Sequence, residues 1–312
     1  MITLDRLKLV ADMEHLLSFS PANFLRIPDR YGHFYYKYLQ EHPYLLSIII
    51  NDRRNELVVE FTGKILQDDY HKLINIDTIH QCLNTINHLG ICELDVDGIV
   101  QSAEVCRCDV TMDVECHFIM NDIKRHLKSS ITNYDKWLYR NCENNGIEIT
   151  NNATTPKHRK RLIMYDKDKE LHKSNNRDFM DWVNDRDCLE RQFKNKMRFE
   201  LNLRTKAQVR TFLHISDNKL NNVLTSTANP ILEVFDCAIR EDKDSATIVY
   251  GKPDKLALLA ECGYDLQAVE MRLRANTPRT SSIRRKMESY RKLLHEIQDS
   301  GEPMNIRDLI TG

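Results

Sequence analysis

Glu104-Val105-Cys106-Arg107-Cys108-Asp109-Val110-Thr111-Met112-Asp113-Val114-Glu115-Cys116 decides the architecture. From Cys106 onward its even positions are apolar, whereas Arg107, Asp109, Thr111, Asp113 and Glu115 are polar. Side chains alternate between the faces of a strand, so this run predicts a half-buried strand whose wet side is crowded with carboxylates. Cys106 and Cys108 are thereby expected to point into the core rather than toward zinc. Two later segments share the pattern. In Arg159–Lys167, Leu162 and Met164 lie on one face and Arg159, Arg161, Tyr165 and Lys167 on the other, with Ile163 the exception. In Lys196–Leu203, Met197, Phe199, Leu201 and Leu203 face inward, and Lys196, Arg198, Glu200 and Asn202 outward.

Around these three strands the chain reads as mixed structure. His33–Leu39, Leu45–Ile50 and Glu56–Leu66 are rich in aromatic and β-branched residues and predict strands. Ile79, Leu83, Ile86 and Leu89 share one helical face over Asp77–Leu89, with Asp77 as expected N-cap and Gly90 where a C′ glycine belongs. Further helices are expected at Asp122–Ser129, Asp178–Asn184, Thr205–Leu213 and Pro230–Ile239, with a loop at Asn141–Pro156 around a short strand, Ile147–Thr150. Residues 254–300 are helical in pattern, punctuated by Pro253 and Pro278 and ending in the basic amphipathic run Ile283–Ile297. The expected fold is α+β: antiparallel sheets with helices packed on one face over residues 1–253, then a small helical region, 254–312. A division of the body into β-rich halves, 1–150 and 151–253, stays open.

Composition narrows the function classes. In 312 residues, 45 Lys and Arg balance 46 Asp and Glu, and 41% of the chain is apolar, enough to build a core. The longest apolar run, Tyr44–Ile50, is strand-sized, so no membrane span is expected. Nine cysteines without a Cys-x-x-Cys pair, and an N-terminus lacking an apolar stretch, predict a reducing, cytoplasmic setting. Charge is uneven. Cys92–Asp122 holds eight acids against Arg107, Arg191–Arg210 seven bases against Glu200, and Arg272–Lys292 eight bases against Glu288. Acids flanked by basic surface can hold a metal beside a phosphate backbone, although solvated helix faces would look alike.

If the three strands are neighbours, their wet faces gather Asp109, Asp113, Tyr165, Lys167, Glu170, Arg198 and Glu200 around one point. Two or three carboxylates can bind Mg²⁺ or Mn²⁺ and leave positions open for phosphate. A phenol with a pKa near ~10 needs a base or cation beside it to act as a nucleophile, and Lys167 stands two residues away. A salt-bridged face in plain water is the competing reading.

Arg107-Cys108-Asp109, Tyr165-Asp166-Lys167-Asp168-Lys169-Glu170 and Arg198-Phe199-Glu200 occur in that order. They resemble the Arg-x-Asp, Tyr-(Asp/Asn/Glu)-Lys-x-x-Glu and Arg-x-Glu blocks of rolling-circle replication initiators. The phage and plasmid proteins of the filamentous-phage gene II/gene X type are nearest, and trans-acting plasmid initiators and relaxases more distant. The likeness runs from Asn55–Gly63 through Asn202–Asp236 and leaves out the helical tail.

The resemblance implies an origin-specific, divalent-metal-dependent nickase and strand transferase. Tyr165 would be the nucleophile, leaving a 5′-phosphotyrosine and a free 3′-hydroxyl. Asp109, Glu170 and Glu200 would ligate Mg²⁺ or Mn²⁺, with Asp113 an alternative, while Lys167 and Arg198 would neutralise the scissile phosphate. DNA contacts are expected from Arg107, Arg159, Lys160, Arg161, Lys196, Arg204, Arg284 and Arg285. The implied partners are an origin, single-stranded or as a hairpin, and a host helicase and polymerase in a bacterial cytoplasm; a homodimer is compatible. One departure stands out. None of the 12 histidines forms a His-x-His pair, so the histidine clamp of many relaxases is missing, and His158 reads as a surface residue.

Two other functions compete. His158-Arg159-Lys160-Arg161 imitates the His-x-x-Arg of tyrosine recombinases, whose tyrosine lies on a helix far downstream. An origin-binding protein without chemistry could use the basic tail, including Arg272, Arg274, Arg279 and Lys286. Tyr134 and Tyr139 are alternative nucleophiles. The Tyr31, Tyr35, Tyr36 and Tyr38 cluster reads as strand packing rather than a base-stacking platform, and Trp137 and Trp182 as core or edge fillers. No Gly-x₄-Gly-Lys-Ser/Thr loop is present, so no ATPase activity is expected.

Overall fold

The computed structural model describes residues 2–38, 42, 44–118, 120–131, 136–142, 146–155, 158–240, 255, 258–259, 261–262, 265–276, 280–299 and 305–311. Tyr134, Pro253, Pro278 and Arg279 lie outside them. The strands are β1 (Leu4–Ala11), β2 (Leu16–Phe19), β3 (Phe24–Pro28), β4 (Phe34–Tyr38), β5 (Leu45–Asn51), β6 (Glu56–Thr62), β7 (Cys92–Leu94), β8 (Glu104–Glu115), β9 (Trp137–Cys142), β10 (Gly146–Asn151), β11 (Arg161–Asp166) and β12 (Lys196–Leu203). Ten of them form one antiparallel sheet in the order β3-β4-β5-β6-β1-β8-β12-β11-β10-β9, and β2 pairs with β7 beside it. The fold is α+β, as the alternation implied. Because β10 pairs directly with β11, the sheet runs unbroken past residue 150.

The helices are α1 (Ile79–His88), α2 (Val96–Ser102), α3 (Met120–Ser129), α4 (Lys167–Leu171), α5 (Arg177–Met180), α6 (Arg186–Phe193), α7 (Lys206–Leu213), α8 (Leu220–Leu224), α9 (Pro230–Ala238), α10 (Leu266–Asn276), α11 (Thr280–Asp299) and α12 (Ile306–Thr311). The apolar face of the sheet shares the main core with α1–α3, α7–α9 and α12. A smaller cluster lies against the polar face. Tyr70 and Leu73 meet Leu171, Phe179, Val183, Leu189 and Phe193 there, so the α4–α6 excursion covers part of the face that alternation left wet. In the tail, α10 and α11 pack around a separate core of Leu259, Val269, Leu273, Ile283, Met287, Tyr290 and Leu293. The last helix, α12, returns to the body, where Ile306 and Ile310 are buried and Arg307 pairs with Asp236 at 2.8 Å. Among the described residues, no helix is long and apolar enough to cross a membrane.

Three expectations about local structure are corrected. Strand β11 stops at Asp166, whose carboxylate caps α4 by accepting the Lys169 amide at 3.0 Å; Lys167 is therefore the first helical residue, not a strand residue. Cys106 does not face the core. The register between β1 and β8 slips there, and Val105, fully buried, takes the inward place. The start of α1 is organised not by Asp77 but by Asn75, whose side-chain oxygen accepts the Asp77 and Thr78 amides at 2.8 and 3.2 Å.

Candidate active site around Tyr165

The three strands singled out by alternation are adjacent, in the order β8-β12-β11. Their register sets Asp113 opposite Arg198, and Arg198 opposite Tyr165. Arg198 is completely buried. Its Nε and Nη2 fork onto Asp113 Oδ1 and Oδ2, both at 2.6 Å, while Nη1 reaches Asp5 Oδ1 at 3.1 Å and Tyr70 Oη at 2.8 Å. A buried guanidinium without such partners would cost several kcal/mol on the order of 3–5. Asp5 arrives through a β-bulge: Leu4 pairs with Val110 but Arg6 with Asp109, so Asp5 and Arg6 occupy the same polar side. Tyr70 comes from the 3₁₀ segment Gly63–Lys72. Gly63 lets the two approach closely: a Cβ there would lie 3.1 Å from the Tyr70 ring and 3.2 Å from Asp5 Oδ1, so these neighbours would have to give by a few tenths of an ångström.

Lys167, 1% exposed, donates to Tyr70 Oη at 3.0 Å and Glu170 Oε2 at 2.6 Å, and its Nζ lies 5.8 Å from the centre of the Tyr165 ring. Asn176 Nδ2 holds the other Glu170 oxygen at 2.9 Å. Burial pushes the Glu170 carboxyl up, but Lys167 and Asn176 outweigh it and hold its pKa at about 2. Burial pushes Lys167 down, reinforced by Arg198 and opposed by Glu170.

Tyr165, only partly buried, donates its phenol proton to Glu200 Oε1. Burial and then the Glu200 charge raise the phenol well above its ordinary value. Burial, with the negative charge of Asp5 behind it, pushes Glu200 up to about 7 against the pull of Arg198 and the Tyr165 bond. A carboxylate poised near neutrality and hydrogen-bonded to a hydroxyl has the chemistry of a general base.

Farther along the same face Asp109 is 9% exposed and its Oδ1 has no hydrogen-bond partner. Burial raises its pKa, countered by Arg107 and a bond from Asn202. Beyond it lies a basic rim. Burial, then the charges of Arg161, Arg107 and Arg159, push the Arg204 guanidinium down, so all three lie within electrostatic reach of it. Arg161 is anchored to Glu148 at 2.6 Å and to Asn202 at 2.6 Å, whereas Arg159 and Arg204 are exposed. The other expected DNA contacts lie apart. Lys160 sits over the Phe212 ring at 5.2 Å, Lys196 stands opposite Glu115, and Arg284 and Arg285 are exposed on α11.

The four expected metal ligands do not gather around one point. Asp113 is taken by Arg198, Glu170 by Lys167 and Asn176, and Glu200 by the Tyr165 phenol. Among the described residues, no group of three or more His, Cys, Asp and Glu is arranged to hold a metal ion. Arg198 and Lys167, expected at a phosphate, are instead buried against acids and Tyr70. Tyr139, the described alternative nucleophile, donates to the Lys124 carbonyl at 3.0 Å, and burial raises it to about 12.

Sequence reasoning missed Asp5 and Tyr70. It also missed a second polar relay, in which His15 Nδ1 contacts Asp95 Oδ2 at 3.0 Å and His15 Nε2 contacts Ser102 Oγ at 2.7 Å. The order imitates a nucleophile, base and acid. Yet Ser102 ends α2, where the helix dipole is negative and disfavours an oxyanion, and its hydroxyl also reaches the Gly98 carbonyl at 2.7 Å. The relay ties the turn before β2 to α2. No family model matches the chain, and no curated protein is significantly similar to it.

Proposed function

We propose that this protein is a DNA strand nickase and strand transferase acting through Tyr165, in the manner of a rolling-circle replication initiator. The observation that carries the reading is the Tyr165–Glu200 pair, a phenol donating to a carboxylate whose pKa lies near 7. Glu200 would take the phenol proton as Tyr165 Oη attacks the phosphorus. The bond from phosphorus to the 3′ oxygen breaks, giving a 5′-phosphotyrosine and a 3′-hydroxyl that receives the proton from Glu200. Attack by a 3′-hydroxyl reverses the step and rejoins the strand. Arg107, Arg159, Arg161 and Arg204 supply the positive surface for flanking phosphates.

The unpartnered Asp109 oxygen and the raised Glu200 are the features that would suit a hard divalent cation, with Asp5 close enough to raise the proton affinity of both. Mg²⁺ or Mn²⁺ held by these carboxylates would offset charge on the scissile phosphate. The proposed setting is a bacterial cytoplasm, with the 3′-hydroxyl extended by a host polymerase behind a helicase.

Burial of Arg198 and Lys167 favours a second reading, an origin-binding protein without chemistry. Incubation with supercoiled DNA carrying the replicon's own origin, plus Mg²⁺ or Mn²⁺, separates the two. A nick with protein on its 5′ end, lost in Tyr165→Phe, is expected. Footprinting without a nick selects the binder, and a nick surviving Tyr165→Phe refutes the assignment of the nucleophile.

A further inference from the structure

The β3–β4 hairpin exposes more apolar surface than its place in the fold explains. Leu25 is 54% exposed, Tyr31 64% and Phe34 47%, all within ten residues at the edge of the sheet. The pairing of Phe24 with Tyr38 anchors its base in the core, and Tyr36 packs there too, so the aromatic cluster divides. Its root is packing. Its outer part, Tyr31 and Phe34, touches water.

Each outer ring carries a cation on one side. The Arg26 guanidinium lies 3.9 Å from the centre of the Phe34 ring, and that of Arg30 lies 4.6 Å from that of Tyr31. Such stacking orders the arginine heads beside the rings before any ligand arrives. Arg26, Arg30 and Lys37 face a single acid in the hairpin, Asp29. Its Oδ1 is held by the Tyr31 and His33 amides at 2.8 and 2.9 Å, inside the turn that Gly32 closes at φ +81°. Exposed aromatic faces with adjacent ordered arginines match one chemistry closely: unpaired bases stack on the rings while the backbone phosphates meet the guanidinium groups.

We infer that the β3–β4 hairpin is a single-stranded DNA-binding arm, with Tyr31 and Phe34 as stacking residues and Arg26 and Arg30 as phosphate contacts. Seven strand positions, roughly 30 Å, separate β3 from β11, so this site is distinct from Tyr165 and does not rest on the nickase reading.

The test is fluorescence anisotropy of the full-length protein with a labelled oligothymidylate of about 12 nucleotides. All four side chains are exposed, so their variants should fold. Tyr31→Ala and Phe34→Ala are each expected to weaken binding roughly 5- to 100-fold, with Tyr31→Phe and Phe34→Tyr restoring it. Arg26→Gln and Arg30→Gln should each reduce the slope of log affinity against log salt by about 0.7. No binding by the wild type, or unchanged affinity in the Tyr31→Ala/Phe34→Ala double variant, overturns the proposal. So does a double variant that converts a dimer to a monomer in sedimentation without affecting the oligonucleotide, which would make the arm an interface between copies. The assay reads binding alone, without added metal or an origin, so failure of the nickase reading leaves this one standing.

Discussion

Replacing Glu200 by Gln should make the protein more stable at about pH 8 while removing the proposed nicking activity. A carboxyl whose pKa rises on folding is held protonated by the native state. Below the ordinary value of 4.5 both states are protonated and folding feels nothing; above about 7 both are ionised and the native state bears the full cost of a buried charge. That gap corresponds to about 3 kcal/mol, entered progressively as pH rises through the window. Gln is nearly isosteric, cannot ionise, and can still accept the Tyr165 hydrogen bond through its carbonyl without taking the proton. Thermal unfolding should therefore show Glu200→Gln melting roughly 6–12 °C above wild type at about pH 8, with the difference vanishing near pH 4.5. Over the same window nicking by the wild type should rise with pH, and the variant should lose about 10²- to 10⁴-fold. A melting difference that stays constant with pH, or that has the opposite sign at pH 8, refutes the assignment of Glu200 as a strained base.

Glu170 should behave in the opposite sense. Its pKa falls to about 2 on folding, so its contribution is complete above 4.5 and lost as pH falls toward 2. Glu170→Gln should cost about 3 kcal/mol at neutral pH and abolish that acid-labile phase in chemical denaturation, since Lys167 would be left buried without its counter-ion. Asp109→Asn should slightly stabilise the metal-free protein at about pH 8 and eliminate any rise in melting temperature on adding Mn²⁺; a full Mn²⁺ response in the variant removes Asp109 from the proposed ligands. Gly98→Ala would set a Cβ 2.1 Å from Asp95 Oδ2 and 2.2 Å from His15 Nδ1, so the relay must break. A loss of about 1–3 kcal/mol, with faster amide exchange in α2, is expected.

The sequence pattern made β8, β11 and β12 legible because each buries one face in the main core, which forces a period of two. It failed where that period is interrupted. In β1 the buried positions run Leu4, Leu7, Leu9 and Ala11; the extra residue between the first two is the bulge that aims Asp5 at Arg198. The spacing is written in the chain, but a three-residue step looks helical when only two-residue steps are sought. The cover formed by α4–α6 was hidden for a different reason. Helices of four to eight residues are held by tertiary contacts rather than by local propensity. Reading Lys167 as a strand residue likewise obscured the i,i+3 pair it forms with Glu170. Tyr70 stands in a 3₁₀ segment kinked at Gln67, whose φ is +53°, and no periodic pattern announces it.

The charges of the site explain why two of its acids are shifted upward. Among the described residues, Arg198 forks onto Asp113 and Lys167 is paired with Glu170, whereas Glu200 has no cation bonded to it and Asp109 feels Arg107 and Arg6 only through their charge. With every group in its usual ionic form, Asp5, Asp109 and Glu200 would form an excess of negative charge in a poorly solvated region. Proton uptake relieves that excess most readily where no cation forks onto the carboxylate, and Asp109 and Glu200 are the two acids pushed upward. A phosphodiester adds another negative charge. If protons alone offset it, Glu200 becomes less able to act as a base just as the substrate arrives. A divalent cation held by Asp109 and Glu200, as proposed, would remove this conflict by lowering both pKa values. Adding Mn²⁺ should consequently move the pH midpoint of the Glu200→Gln melting difference below about 7. A midpoint that does not move would place the compensating charge on the Arg107, Arg159, Arg161 and Arg204 rim instead.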